Sequence, residues 1–142
     1  MSYPVDLEID RAQQSFWQNS QRPRIICLCG STRFWREFQK ASLRETMNGK
    51  IVLSIGAATS ADGDDHTFGG YVPQEKYDAA KEALDNLHLY KVELADEVLC
   101  LNVGGYVGRS TEREVLHAIR HGKVLHWLEP DKVPLWADGL SR

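Results

Sequence analysis

Residues 24–34 read Arg24-Ile25-Ile26-Cys27-Leu28-Cys29-Gly30-Ser31-Thr32-Arg33-Phe34. The run from Ile25 to Cys29 has no polar alternation, which suits a strand buried on both faces in the middle of a parallel sheet. Gly30 ends the run, and Ser31 or Thr32 can cap a helix that follows. Strand, glycine and cap in this order open a βαβ unit, so the stretch predicts an α/β fold.

The chain on either side agrees. Phe34, Phe38 and Ala41 share one helical face, and the helix is expected to run to about Asn48 with Gly49 closing it. Ile51–Ile55 is a second predicted strand, and 56–74 a long Gly/Asp-rich loop. Glu75 to about Leu94 reads as a helix, and Glu97–Asn102 as a third strand. Val103–Ser110 is a glycine-rich loop. Thr111–His121 is a predicted helix closed by Gly122, and Val124–Leu128 a fourth strand. The tail from Glu129 carries Pro130, Pro134 and Trp136 and is expected to be irregular. Residues 1–23 form an N-terminal arm bracketed by Pro4 and Pro23. Within it Asp6–Asn19 is a candidate helix anchored by Leu7, Phe16 and Trp17. Residues 24–142 are expected to be one domain with a short C-terminal tail.

Composition bounds the function. The chain has 142 residues, 42% hydrophobic and 26% charged, with net charge −3. These values suit one globular domain and exclude low-complexity classes. No Lys/Arg block exists, so a polymeric nucleic-acid partner is not expected. No run reaches the length of a membrane span, and no signal-peptide pattern opens the chain. A cytoplasmic protein acting on a small molecule is expected. Cys27, Cys29 and Cys100 all lie in apolar runs. Cys27-x-Cys29 lacks the C-x2-C spacing of metal sites, so the thiols read as small buried hydrophobes. No metal and no cofactor are expected.

In parallel sheets ligands sit beyond the carboxyl ends of the strands. Three loops fall there. In the first, Gly30 permits close backbone approach, Ser31 and Thr32 add hydroxyls, and Arg33 adds a cation, which together suit an anion at a helix start. An ordinary N-cap turn explains the same residues. In the second, Gly104-Gly-Tyr-Val-Gly-Arg-Ser-Thr-Glu-Arg-Glu114, Tyr106 could lie against a base or sugar. Glu114 could act as nucleophile or base in the first helical turn. Thr111-x-x-Glu114 equally matches a capping box. The third, Asp62-Gly-Asp-Asp-His66-Thr-Phe-Gly-Gly-Tyr71, lacks calcium-loop spacing. It reads as a closing loop with Phe68 and Tyr71 as stacking candidates, or as a solvated connector. Glu114-x-x-His117 is half of a di-iron pattern with no second half. His117 and His121 stand at i, i+4. His88 falls late in the second helix, by default a core or surface histidine.

Three segments together resemble the nucleoside 2-deoxyribosyltransferase-like superfamily, which includes 2-deoxynucleoside 5-phosphate N-hydrolases. They are Cys29-Gly-Ser-Thr-Arg-Phe34, Leu87-His-Leu-Tyr-Lys-Val-Glu-Leu-Ala-Asp96 and Gly105-Tyr-Val-Gly-Arg-Ser-Thr-Glu-Arg-Glu-Val-Leu-His-Ala118. The resemblance spans about Arg24 to Leu128. It implies a flavodoxin-like or Rossmann-like three-layer sandwich with a parallel sheet of about four to five strands. It also implies hydrolysis of the N-glycosidic bond of a nucleoside 5′-monophosphate without cofactor. Base exchange by deoxyribosyl transfer and a non-catalytic nucleotide sensor are the alternatives. The family's catalytic glutamate falls on Glu114. Its phosphate and sugar contacts fall on Gly30, Ser31 and Arg33, and on Gly108 and Ser110, with Thr32, Tyr106 and Thr111 beside them. Where the transferases carry an aspartate that serves the departing base, this chain has His88. Asp85, one turn away, or an acid in 62–65 could substitute. Glu112 replaces a family glycine. Family members are usually dimers or larger, so a homo-oligomer is expected.

Overall fold

The computed structural model describes residues 22–56 and 67–137. Strands β1 (Ile25–Cys29), β2 (Ile51–Leu53), β3 (Glu97–Cys100) and β4 (Val124–Trp127) form one parallel sheet, ordered β2-β1-β3-β4. Every residue of β3 is buried, and so is β1 beyond Ile25. The edge strands β2 and β4 are only partly covered. The unbroken apolar runs thus mark the central strands, as burial on both faces requires.

Three helices cover the sheet: α1 (Trp35–Met47), α2 (Tyr77–Leu94) and α3 (Arg109–Arg120). The two-residue alternation of strands sorts the core into two layers. Ile26, Leu28, Leu99 and Leu101 pack against Phe38 and Ala41 of α1. Cys27, Cys29 and Val98 pack on the other face against Val92 of α2 and Ala118 of α3. The chain is therefore the expected three-layer α/β sandwich, with four strands among the described residues. Leu28 is fully buried between helix and sheet, so Leu28→Ala is expected to cost on the order of 3 kcal/mol.

Element ends differ from expectation in ways that matter for the site. Ser31 caps only a short 3-10 turn, Thr32–Phe34, and the α-helix starts at Trp35. β2 ends at Leu53 and β3 at Cys100, although Leu101 and Asn102 beyond β3 stay buried. The third helix starts at Arg109, two residues early, with Gly108 as its N-cap and no side-chain cap. Thr111 therefore lies inside the helix and Glu114 in its second turn. This excludes the capping-box alternative, which needs Thr111 outside the helix. Gly49 and Gly122 close their helices at φ 81 and 67, as expected of glycine past a C-cap. The tail forms single 3-10 turns at Pro130–Lys132 and Leu135–Ala137. The expected helix over Asp6–Asn19, with Phe16 and Trp17, and the acids at 62–65 lie outside the described residues. No helix among the described residues is long and apolar enough to cross a membrane.

The chain leaves β1 toward one side to make β2 and crosses to the other side to make β3. The switch in strand order lies between the C-terminal ends of β1 and β3, where open parallel sheets place their ligands. The glycine-rich loop beyond β3 is held from behind. Fully buried Asn102 donates from its amide to the carbonyls of Glu129 (3.0 Å) and Lys132 (3.2 Å). Its Oδ1 accepts from the Glu129 N–H at 2.9 Å. Glu129 in turn accepts from the Gly104 N–H at 2.6 Å.

Candidate functional site

Cys29 and Cys100 are register partners at the ends of β1 and β3. With Cys27 they are free, buried thiols. Cys27 and Cys29 share the sheet face that α2 and α3 cover, and Glu114 descends onto it from the second turn of α3. Glu114 is 5% exposed. Burial pushes its carboxyl up to about 7, opposed by the charge of His88 and a hydrogen bond from the Cys29 thiol. Its Oε2 has no hydrogen-bond partner among the described residues.

The group nearest to Glu114 by charge is His88, on α2. Its Nε2 lies 3.8 Å from Glu114 Oε2, and 3.6 and 3.5 Å from the sulfurs of Cys27 and Cys29. The first of these is too long for a hydrogen bond, so the imidazole and the carboxylate face each other without being bonded. Burial works against the protonated ring, but the Cys27 thiol and the Glu114 charge outweigh it and raise its pKa. Hydrogen bonding from Cys29 and His88 lowers the Cys27 thiol, while Cys29 is raised by Cys27 and by burial. Burial and the Glu114 charge push Cys100 up to about 12. Cys27, Cys29 and His88 offer ligand atoms within 4.8 Å of one another. The sulfurs are sealed from solvent, and both stand within hydrogen-bond reach of the imidazole beneath the carboxylate. The thiols are hydrophobic floor, as expected, but two of them also tune the imidazole.

At the mouth, Asp85 Oδ2 accepts from Ser110 Oγ at 3.4 Å and pairs with Lys81 Nζ at 2.8 Å. Lys81 also reaches Ser110 Oγ at 3.4 Å. Sequence inspection missed Lys81, whose only signal was its i, i+4 spacing from Asp85. Asp85, His88, Ser110 and Glu114 are thus brought together between α2 and α3.

The first loop meets the glycine-rich loop through Tyr106. Arg33 lies over one face of this ring at 4.3 Å, and Phe34 meets it edge-on at 6.0 Å. A Cβ on Gly108 would come within 3.2 Å of Tyr106 Oη. Tyr106 therefore positions Arg33 beside the start of α3, and one of its faces is not free for a base. Ser31 Oγ accepts from Arg33 Nε at 3.1 Å. At Gly30 a Cβ would stand 3.1 Å from the Leu101 Cβ, so glycine here serves close packing of β1 on β3. Thr111 is buried and sits one helical turn before Glu114. Its neighbour Ser110 lies at the first turn of α3, where the uncapped N–H groups and the positive helix end favour an anion. Of the third loop, Phe68 stacks on Tyr77 at 5.2 Å, and Tyr71 is exposed.

A groove of about 530 Å³ lies between α1 and the end of β2, lined by Trp35, Phe38, Ser42 and Ile55 among others. No side chain lining it ionises, so the chemistry is sought at the sheet edge instead. No protein-family model matches the chain, and no curated protein matches it either.

Proposed function

We propose that this chain hydrolyses the N-glycosidic bond of a nucleoside 5′-monophosphate, with Glu114 as the nucleophile at C1′. The observation that carries the proposal is Glu114 itself: a buried carboxylate at the strand-order switch, held up to about 7, with one oxygen unpartnered and an imidazole 3.8 Å away. Perturbed carboxylates with one specific charge partner are candidates for catalysis.

The chemistry follows from the neighbours. As the C1′–N bond stretches, positive charge grows on the sugar, and the Glu114 carboxylate forms a bond to C1′. The bonding pair leaves with the base, which takes the proton from His88 Nε2. His88 is assigned this role because it is the protonatable side chain beside Glu114, 3.8 Å away, and the Cys27 thiol and the Glu114 charge favour its protonated form. Asp85 is tied to Lys81 and instead fixes Ser110. Neutral His88 then takes a proton from water, whose oxygen attacks C1′ and releases the sugar phosphate and free Glu114. The uncapped start of α3, with Ser110 and the Arg33 that Tyr106 holds beside it, receives the 5′-phosphate and fixes the sugar over Glu114.

The test is chromatographic release of free base from nucleosides and their monophosphates, with and without an acceptor base. Release from a monophosphate alone is expected. Turnover only with an acceptor would make the chain a deoxyribosyltransferase. Ligand-induced thermal stabilisation without turnover would make it a nucleotide-binding module.

A further inference from the structure

We propose that Glu93, His117 and His121 form a zinc(II) site on the outer side of the α2–α3 pair, separate from the Glu114 site. His117 and His121 stand one turn apart at the end of α3, their rings 4.3 Å apart between centroids. From the last turn of α2, Glu93 places one oxygen, Oε1, 3.1 Å from His117 Nε2 and 3.5 Å from His121 Nε2. All the ligand atoms lie within 4.8 Å of one another.

The two separations from the carboxylate oxygen are those of a metal shell. Zinc holds nitrogen and oxygen at about 2.0–2.2 Å, so neighbouring ligands on its tetrahedron stand about 3.3 Å apart. The carboxylate oxygen already has this separation from both imidazoles, within 0.2 Å for each on the printed distances of 3.1 and 3.5 Å. A helix carrying histidines at i, i+4 points both rings to one side. Two histidines and one glutamate are a known zinc donor set that leaves a fourth position for water. The side chains are 22%, 43% and 38% exposed, so an ion can reach them without opening the core. Lys123 is close, but its ammonium bonds the main-chain carbonyl of Glu93 at 2.7 Å rather than the carboxylate.

The consequence is a clamp. α2 carries His88 and Asp85, and α3 carries Glu114 and Ser110. An ion shared by Glu93, His117 and His121 ties the two helices together one turn beyond these residues. It would steady their spacing without touching substrate.

The test is calorimetric titration of the metal-free chain with zinc chloride, alongside His117→Ala/His121→Ala and Glu93→Gln. One zinc per chain is expected. Glu93→Gln should bind about tenfold more weakly and the double variant at least a hundredfold more weakly. Zinc should raise the melting temperature of the wild-type chain and leave that of the double variant unchanged. Cobalt(II) should give d–d bands without thiolate charge transfer. Wild-type affinity in the double variant, or no binding at millimolar zinc, would overturn the site. So would a thiolate charge-transfer band, which would place the ion on Cys27 and Cys29. Surface positions were chosen so that each variant keeps its fold, checked by its metal-free unfolding curve.

Discussion

Two buried glutamates stand at opposite ends of the same sheet. Glu97, at the start of β3, is 5% exposed, as is Glu114 beyond its end. Arg24 Nε (2.6 Å), His126 Nε2 (2.8 Å) and Lys50 Nζ (3.3 Å) surround Glu97. Burial alone would raise its carboxyl, but these partners overcome it and hold it down at about 2. Glu114 is as little exposed, with an imidazole and thiols in place of full cations, and it is held up to about 7. Equally low exposure with opposite outcome separates a carboxylate at the sheet's end ringed by cations from one set deeper with an imidazole and thiols around it. Asp96, beside Glu97, belongs to the first kind. Arg22 at 2.6 Å and the Ile25 N–H hold it well below the usual carboxylate range.

The sharpest way to break this contrast is to remove each charge. Glu114→Gln is expected to lower base release by at least a thousandfold, as loss of a nucleophile does, while Glu97→Gln leaves the rate within about twofold. His88→Gln should cost about a hundredfold, the usual worth of a positioned acid. It should also remove the alkaline limb of kcat/KM, which a purely structural residue would not do. In the wild-type chain the acidic limb is expected near pH 7, where Glu114 loses its proton. A limb near the ordinary glutamate value of 4.5 would deny the special environment.

Stability should show the mirror image. Glu97→Gln takes the charged partner from Arg24 and leaves Lys50 with Glu45 alone, at 3.0 Å, and is expected to cost about 1–2 kcal/mol at neutral pH, read by urea unfolding. The lowered pKa means that this stabilisation is full above about 4.5 and fades as pH falls toward about 2. For Glu114 the sign reverses. Its raised pKa means that the folded chain holds the proton more tightly than the unfolded chain. The cost of its charge is therefore absent below about 4.5, grows from there to about 7, and is full above. Glu114→Gln should raise the melting temperature at pH 8 and change it little at pH 4. The smallest effect is expected at the mouth. Arg33→Ala should weaken monophosphates about tenfold and nucleosides hardly at all, and equal losses for both would remove the phosphate from this loop.

The fold was legible because its signals are local. The apolar runs at Ile25–Cys29 and Val98–Leu101, and Gly49 and Gly122 at helix ends, each state their role within a few residues. The site was half legible. Glu114, Ser110 and Arg33 could be placed at the right edge of the sheet by order alone. The start of α3 was misplaced because Thr111-x-x-Glu114 imitates a cap when the true one, Gly108, offers no side chain. The burial of His88 was beyond reach. Leu87, Tyr90 and Leu94 of the same helix are exposed while His88 and Val92 are buried, so hydrophobicity points to the wrong face of α2. The meeting of Glu93 with His117 and His121 depends on how α2 packs on α3, which no spacing within either helix encodes.

The central claim is that Glu114, with an imidazole beside it in place of the arginine and lysine that hold Glu97, is the group that reacts. Its most direct test is free base released from a nucleoside 5′-monophosphate by the wild-type chain, Glu97→Gln and Glu114→Gln under one set of conditions, with ligand-induced thermal stabilisation measured on each. The account predicts base release by the first two, none by Glu114→Gln, and ligand stabilisation in all three. Full base release by Glu114→Gln would contradict it.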